Sequence, residues 1–70
     1  MPLTKNMRVQ TNLVVNKKKL QGSVLSIDKK HNYDGKIKPY MVFLDEPYFF
    51  RGKEDYYKYF AEDELQELLD

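Results

Sequence analysis

The sequence predicts a small, mainly β domain, and three observations support this fold class. Apolar and polar residues alternate with a period of two in several short segments, as in strands with one buried face. Glycine, proline and an Asp-Gly pair separate these segments at intervals typical of turns. With 70 residues, 41% hydrophobic and 14% aromatic, the chain fits a single domain and is too apolar to remain disordered.

The amino-terminal part contains two predicted strands. Residues 1–6 are mostly polar, so we expect a loose lead-in. Residues 7–15 alternate and then continue as a short apolar run, and the polar residues 16–19 predict a loop. Residues 20–27 alternate again, and Gly22 inside this segment predicts a bulge or a sharp bend.

Two further strands are predicted in the middle of the chain. The Asp-Gly pair at 34–35 predicts a hairpin turn, because glycine accepts the positive φ that such turns require. Residues 40–45 form the clearest strand, and the Glu-Pro pair at 46–47 is expected to end it. A turn at 51–53 then precedes an aromatic strand at 56–60.

The carboxy-terminal segment 61–70 has two interpretations. Leu65, Leu68 and Leu69 fall at helical spacing, and the acidic residues 62–64 suit the positive end of a helix dipole. These features predict a short helix or helical turn. A helix this short is marginal without packing, so the alternative is a helical turn followed by a brief closing strand.

Three segments carry a family resemblance: "QGSVLSID", "PYMVFLDE" and "YYKYFAEDELQELL". Residues 7–69 resemble the small bacterial SH3-like barrels, including KOW-type domains and small phage or mobile-element proteins of that fold. The resemblance implies an SH3-like barrel of about five strands over residues 7–70, and its motifs carry little functional specificity. The matching positions are Gly22, Val24, Ile27, Tyr40, Val42, Leu44, Asp45, Tyr59, Phe60, Glu64 and Leu65.

The residue types argue against catalysis. Without cysteine the chain has no disulfide, thiolate nucleophile or sulfur-based zinc site, and the single histidine, His31, cannot form a multi-histidine site. Neighbouring carboxylates on a strand point to opposite faces, and no nucleophile–base set or phosphate loop is present. We therefore expect a non-enzyme with no metal and no cofactor. The absence of a signal peptide or a long apolar run predicts a cytoplasmic protein that does not enter the membrane.

Charge is segregated along the chain. Residues 1–38 carry nine Lys or Arg against two Asp (+7), and residues 39–70 carry three against nine Asp or Glu (−6). The two halves can form separate basic and acidic surfaces, or they can neutralise each other if they interleave in space. The net charge of +1 argues against a dedicated nucleic-acid binder.

The aromatic residues predict a binding surface. The six Tyr and four Phe are too many for a small core, in which we expect Phe43, Phe60 and one of Phe49 and Phe50. Exposed Tyr clusters are typical of protein interfaces, although ordinary strand packing is an equal alternative. The acidic tail, residues 62–64 with Glu67 and Asp70, is a second possible docking element. Together with the tyrosines, it predicts a protein–protein adaptor or modulator. The candidate protein-binding residues are Tyr40, Tyr48, Tyr56 and Tyr57.

Basic loops supply the alternative function. If the loops come together, their lysines could contact phosphates while Tyr33 or Tyr40 stacks on a base, as in nucleic-acid-binding barrels. Solvated loops kept soluble by charge are the plainer interpretation. The candidate nucleic-acid-binding residues are Lys17, Lys18, Lys19, Lys29 and Lys30.

Overall fold

A computed structural model of the protein describes residues 3–69. The mainly β prediction is confirmed, since strands make up most of this range and the helical part is the 3₁₀ turn Glu62–Glu64. Among the described residues, no helix has the length and hydropathy that a membrane span requires. The strands are β1 (Arg8–Val15), β2 (Lys18–Ile27), β3 (Asn32–Tyr33), β4 (Lys36–Ile37), β5 (Tyr40–Phe50), β6 (Lys53–Phe60) and β7 (Leu65–Glu67).

Five strands form one antiparallel sheet in the order β6-β5-β2-β1-β7, and β3 pairs with β4 in a separate hairpin. The strand β7 returns to the free side of β1, where Glu67 lies opposite Val9. The strand pairing does not close the predicted barrel, because β6 and β7 occupy the two edges of the sheet without pairing to each other. The protein is therefore an open five-stranded sheet with an attached hairpin.

The two predicted glycine turns are confirmed. Asp34 and Gly35 join β3 to β4 with φ values of 55° and 81°, and Arg51 and Gly52 join β5 to β6 with 54° and 79°. Two consecutive positive φ values are the pattern of the type I′ hairpin turn, whose twist matches that of the flanking strands. The predicted loop at 16–19 is shorter than expected, because its first two residues form a similar turn and the next two begin β2.

The strand β5 runs through the segment expected to end it. Its pairing with β6 shifts register between Phe43 and Tyr48, so an irregular stretch of β5 accommodates Pro47. A bulge leaves residues outside the ladder, and a proline there forfeits no hydrogen bond. This irregularity bends the β5–β6 hairpin and extends β5 to Phe50.

The predicted carboxy-terminal helix is wrong, and the predicted helical turn is confirmed. A brief strand follows the turn, but it pairs with β1 without closing a barrel. Ala61 precedes the 3₁₀ turn, and its N–H donates to Glu64 Oε1 at 2.8 Å while its carbonyl accepts the Glu64 N–H at 3.1 Å. Leu65 has returned to extended geometry and begins β7. Leu68 follows β7, and its N–H donates to the Arg8 carbonyl at 2.9 Å. Hydrogen bonds to β1 thus form in place of the helical hydrogen bonds that the spacing of the leucines predicted.

Gly22 permits close packing, and the bulge predicted there is wrong. A Cβ on Gly22 would lie 2.4 Å from the Phe43 carbonyl oxygen and 2.8 Å from Val42 Cγ1. The irregularity of β2 instead lies between Val24 and Ser26. Gly22 therefore lets β5 pack closely against β2. The buried apolar residues of the core are Leu3, Val9, Leu20, Val24, Tyr40, Val42, Leu44, Phe60 and Ala61.

The segment expected to be a loose lead-in contributes to this core from its third residue onward. Leu3 is buried within the apolar cluster, and the Asn6 N–H donates to the Val24 carbonyl at 2.7 Å. Met1 and Pro2, which belong to the same prediction, lie outside the described residues. Burial of Leu3 and the hydrogen bond of Asn6 fix the entry of the chain into β1.

Candidate functional site

A cavity of about 470 Å³ opens where the β3–β4 hairpin approaches the bent β5–β6 hairpin. We call it the aromatic cavity, because six of its nine lining side chains are rings. Its size falls within the range of pockets that hold small molecules or large side chains. The rings belong to His31, Tyr33, Tyr48, Phe50, Tyr57 and Tyr59, and the other lining residues are Leu13, Asp55 and Lys58.

One wall of the aromatic cavity is held by His31. Its ring stacks on Tyr59 with centroids 3.5 Å apart and planes 11° from parallel. Its Nδ1 lies 3.1 Å from the Lys38 carbonyl, which can only accept, so Nδ1 is the nitrogen that donates. The main chain of His31 is fixed as well, because its N–H donates to the Asp28 carbonyl at 3.1 Å and its carbonyl accepts the Lys38 N–H at 2.9 Å.

A second part of the cavity wall is fixed by hydrogen bonds to the main chain of Tyr57. The Tyr48 hydroxyl donates to the Tyr57 carbonyl at 2.8 Å, and the Tyr57 N–H donates to Asp55 Oδ1 at 3.0 Å. Burial raises the pKa of the Tyr48 hydroxyl, and the nearby Asp55 carboxylate raises it further. Because β6 is an edge strand, another strand could pair with it through free main-chain groups. The side chains of Tyr48 and Asp55 already bond the carbonyl and the N–H of Tyr57, which such a strand would need.

Lys58 places an ammonium group in the wall of the aromatic cavity. Its Nζ lies 5.9 Å from the centre of the Tyr33 ring and 5.4 Å from that of Phe60. Burial lowers the pKa of Lys58, and the charge of Lys38 lowers it further, against the opposing effect of Glu64. Within residues 3–69, Lys58 forms no ion pair. The nearest groups that compensate its positive charge are therefore aromatic rings, with a weaker contribution from the Glu64 carboxylate.

The four predicted protein-binding tyrosines fall in three places. Tyr48 and Tyr57 line the aromatic cavity. Tyr56 is exposed and packs against Phe43, with ring centroids 5.9 Å apart. The prediction that Tyr40 belongs to the binding surface is wrong, because Tyr40 is buried at 7% exposure. Its hydroxyl donates a hydrogen bond to Glu62. Its position on the buried side of the β5 alternation already indicated a core residue.

The expected core placement of the phenylalanines is correct only in part. Phe60 is buried at 1% exposure, as expected. Phe43 is exposed, because it lies opposite Tyr57 on the outer face of the β5–β6 pair. Both Phe49 and Phe50 are exposed, because the irregular stretch of β5 carries them to the tip of the hairpin beyond the core.

Sequence reasoning missed most of the aromatic cavity. His31, Phe50, Lys58 and Tyr59 were not predicted to share a site, and Tyr33 was considered only as a stacking residue. Strand alternation could have identified Tyr59, because a residue two positions after Tyr57 lies on the same face of the strand. No local pattern identifies His31, because its contact with β6 depends on how a loop folds back over the sheet.

The predicted nucleic-acid-binding lysines are divided by the fold. Residues 17–19 lie at the start of β2 and residues 29–30 just after its end. A strand of ten residues spans on the order of 30 Å when extended, so the two groups do not form one patch. Lys18 is also engaged, with Nζ 2.6 Å from Glu46 Oε2.

The basic and acidic halves of the chain interleave in space. Four ion pairs form within residues 3–69, and each joins a cation from residues 1–38 to a carboxylate from residues 39–70. Exposed pairs of this kind contribute little stability, but they cancel the charge of both halves locally. The pairs are Arg8–Asp45, Lys18–Glu46, Lys36–Asp63 and Lys38–Glu64.

Residues 62–64 of the acidic tail are occupied by contacts within the protein, and Asp70 lies outside the described residues. Glu62 accepts a hydrogen bond from the Tyr40 hydroxyl at 3.3 Å, and Asp63 lies 3.4 Å from the Lys36 ammonium. Glu64 pairs with Lys38 at 3.3 Å in a half-buried setting. Burial alone would raise the pKa of Glu64, but the Ala61 N–H and the Lys38 ammonium outweigh it and lower this pKa below its ordinary value of 4.5.

We expect acid to weaken the fold through Glu64. A carboxyl whose pKa is lowered by folding stabilises the fold above its unfolded pKa, here 4.5, and loses this effect as the pH falls through the folded pKa. Glu64→Gln keeps an oxygen for the Ala61 N–H but removes the charge, which should cost about 1 kcal/mol at neutral pH. Denaturant unfolding should show this difference shrinking towards zero as the pH falls below 4.5 and through the folded pKa. A difference that persisted in acid would contradict the assignment.

The described part of the chain contains no group of three or more His, Asp or Glu side chains placed to hold a metal ion. Comparison with known proteins found no matching family model, no matching curated protein and no matching solved structure. The interpretation of the aromatic cavity therefore depends on its own geometry and charge.

Proposed function

We propose that the protein is a non-catalytic binding module that recognises a segment of another protein in its aromatic cavity. The observation that carries the proposal is the convergence of six rings from separate elements around one open space of about 470 Å³. Tyr and Phe supply large contact areas at a small cost in side-chain entropy, which makes them frequent anchors at interfaces. Hydrogen bonds at Tyr48 and His31 hold two of these rings in place before a partner arrives.

We further propose that the fold is of the SH3-like type suggested by the sequence, as an open sheet. Its support is the order β6-β5-β2-β1-β7, in which the segment that the resemblance assigns to closure turns back along β1. The proposal includes the role suggested by that resemblance, a cytoplasmic adaptor or modulator of phage or mobile-element type. Fold alone does not define the ligand, so the cavity carries the functional argument.

The distribution of charge favours a protein partner over nucleic acid. The four ion pairs cancel much of the basic charge of residues 1–38, and the lysine clusters lie at opposite ends of β2. Binding to a phosphate backbone depends on several cations acting along one track. The aromatic cavity instead offers apolar contact area with one ammonium and one carboxylate in its lining.

Selection from a random peptide library tests the proposal. We expect enriched peptides whose affinity falls at least about tenfold in a variant combining Tyr33→Ala with Tyr57→Ala, because each removes a ring of the aromatic cavity. Both side chains are about half exposed, so the variant should remain folded. Fluorescence anisotropy with a labelled peptide measures the change.

Two control variants separate this outcome from a general effect of surface change. Phe49→Ala removes an exposed ring outside the cavity lining, and Lys29→Gln with Lys30→Gln removes charge from one basic loop. Peptide affinity should be unchanged in both. The proposal fails if no peptide is enriched, or if the lysine variant loses affinity while the tyrosine variant keeps it.

A further inference from the structure

We propose that the protein segment bound in the aromatic cavity carries a carboxylate beside an aromatic or large aliphatic side chain, and that this carboxylate pairs with the Lys58 ammonium. The inference rests on the proposed function and adds the chemistry of the partner: an acidic, apolar peptide segment. Three features of the cavity support this inference: the unpaired charge of Lys58, the rings around that residue and the position of Asp55.

The first feature is the unpaired charge. Lys58 and Lys38 both lie close to the Tyr33 ring, with Nζ to centroid distances of 5.9 and 5.7 Å. Lys38 is neutralised by Glu64 at 3.3 Å, whereas Lys58 forms no ion pair within residues 3–69. Partial burial makes an unpaired ammonium costly, and a ligand carboxylate would supply the missing partner.

The second feature is the surroundings of that ammonium. Lys58 lies between Tyr57 and Tyr59 in the sequence, and all three residues contribute to the cavity lining. The ring of Tyr33, another lining residue, lies 5.9 Å from the Lys58 Nζ. A ligand that places a carboxylate on Lys58 therefore brings its adjoining atoms against aromatic faces. Those atoms contribute most to the binding free energy when they are apolar, because burial of apolar area is the main source of affinity in such a pocket.

The third feature, the position of Asp55, orients the ligand. Asp55 lies three residues before Lys58 on β6, or about 10 Å along an extended strand. Its carboxylate already accepts the Tyr57 N–H at 3.0 Å and still repels anions. A single ligand carboxylate can meet Lys58 and stay clear of Asp55. A run of phosphates along this part of β6 would meet the Asp55 carboxylate in the cavity lining as well as Lys58, which favours an acidic peptide over nucleic acid.

The test uses two small probes of matched shape, N-acetyl-phenylalanine and its carboxamide. The acid carries a carboxylate beside a phenyl ring, and the amide differs only in lacking the charge. Titration of the ¹⁵N-labelled protein should show both probes shifting amide signals of the aromatic cavity, with the acid binding about fivefold more tightly. Lys58→Met keeps the aliphatic stem over Phe60 and should abolish the preference, whereas Lys30→Met should preserve it.

The outcomes separate this inference from the proposed function. If neither probe shifts the cavity signals, both the inference and the binding role of the cavity are rejected. If acid and amide bind equally to the unmodified protein, the carboxylate inference alone is rejected, and this comparison needs no variant to fold. If an eight-residue oligothymidylate binds the same cavity more tightly than the acid and loses its binding in the Lys58 variant, the partner class is nucleic acid and the inference is overturned.

Discussion

Gly22→Ala should destabilise the protein by about 3 kcal/mol or more, the largest effect expected of so small a change. The added methyl would lie 2.4 Å from the Phe43 carbonyl oxygen, a main-chain atom that cannot move without disturbing the β2–β5 pairing. A chain of 70 residues has a small stability margin, so much of the population should be unfolded. Thermal unfolding followed by circular dichroism should show a fall in Tm of roughly 12 °C or more.

Gly35→Ala is the matched control for this prediction. Gly35 has a φ of 81°, so alanine is strained there, but nothing lies within 4 Å of the added methyl. The expected cost is about 1 kcal/mol, from backbone conformation alone. Equal losses in the two variants would show that close packing at Gly22 is not what the sheet requires.

Phe60→Ala should destabilise the protein by about 3–5 kcal/mol, because it removes the largest fully buried side chain and leaves a void in the core. The same ring lies 5.4 Å from the Lys58 ammonium, so its loss also removes support from the aromatic cavity. Denaturant unfolding measures the cost. A midpoint close to that of the unmodified protein would mean that Phe60 does not hold the core together.

Phe49→Ala is the control with the same chemical change and the opposite surroundings. Phe49 is 71% exposed at the tip of the β5–β6 hairpin. Its truncation should change stability by no more than about 0.5 kcal/mol. A large loss in this variant would indicate that the hairpin tip packs against the protein in a way that its exposure excludes.

The local features of the fold were predictable from the sequence because their causes are local. Period-two alternation located the strands around Val9, Val24 and Val42, and the glycine turns followed from the need for positive φ. The helical turn at Glu62–Glu64 and the brief strand that begins at Leu65 were also predicted, although this strand does not close a barrel. There the periodicity alone suggested a helix, and pairing with β1 decided the structure.

The remainder could not be predicted because it depends on contacts between distant segments. The shift between Phe43 and Tyr48 carries β5 past Pro47 and changes which phenylalanines are exposed. The stack of His31 on Tyr59 brings a loop against β6 across 28 residues of chain. The aromatic cavity is produced by these two events together, and no periodic pattern in one strand encodes either of them.

We propose that the aromatic cavity, rather than the basic loops, is the binding surface. The most direct measurement is a map of backbone amide shift changes while the ¹⁵N-labelled protein is titrated with a peptide enriched from the random library. We expect the largest changes to cluster within residues 31–33, 48–50 and 55–59, the segments that contain most of the cavity lining. Changes centred on the lysines at 17–19, with those cavity residues unaffected, would contradict this proposal.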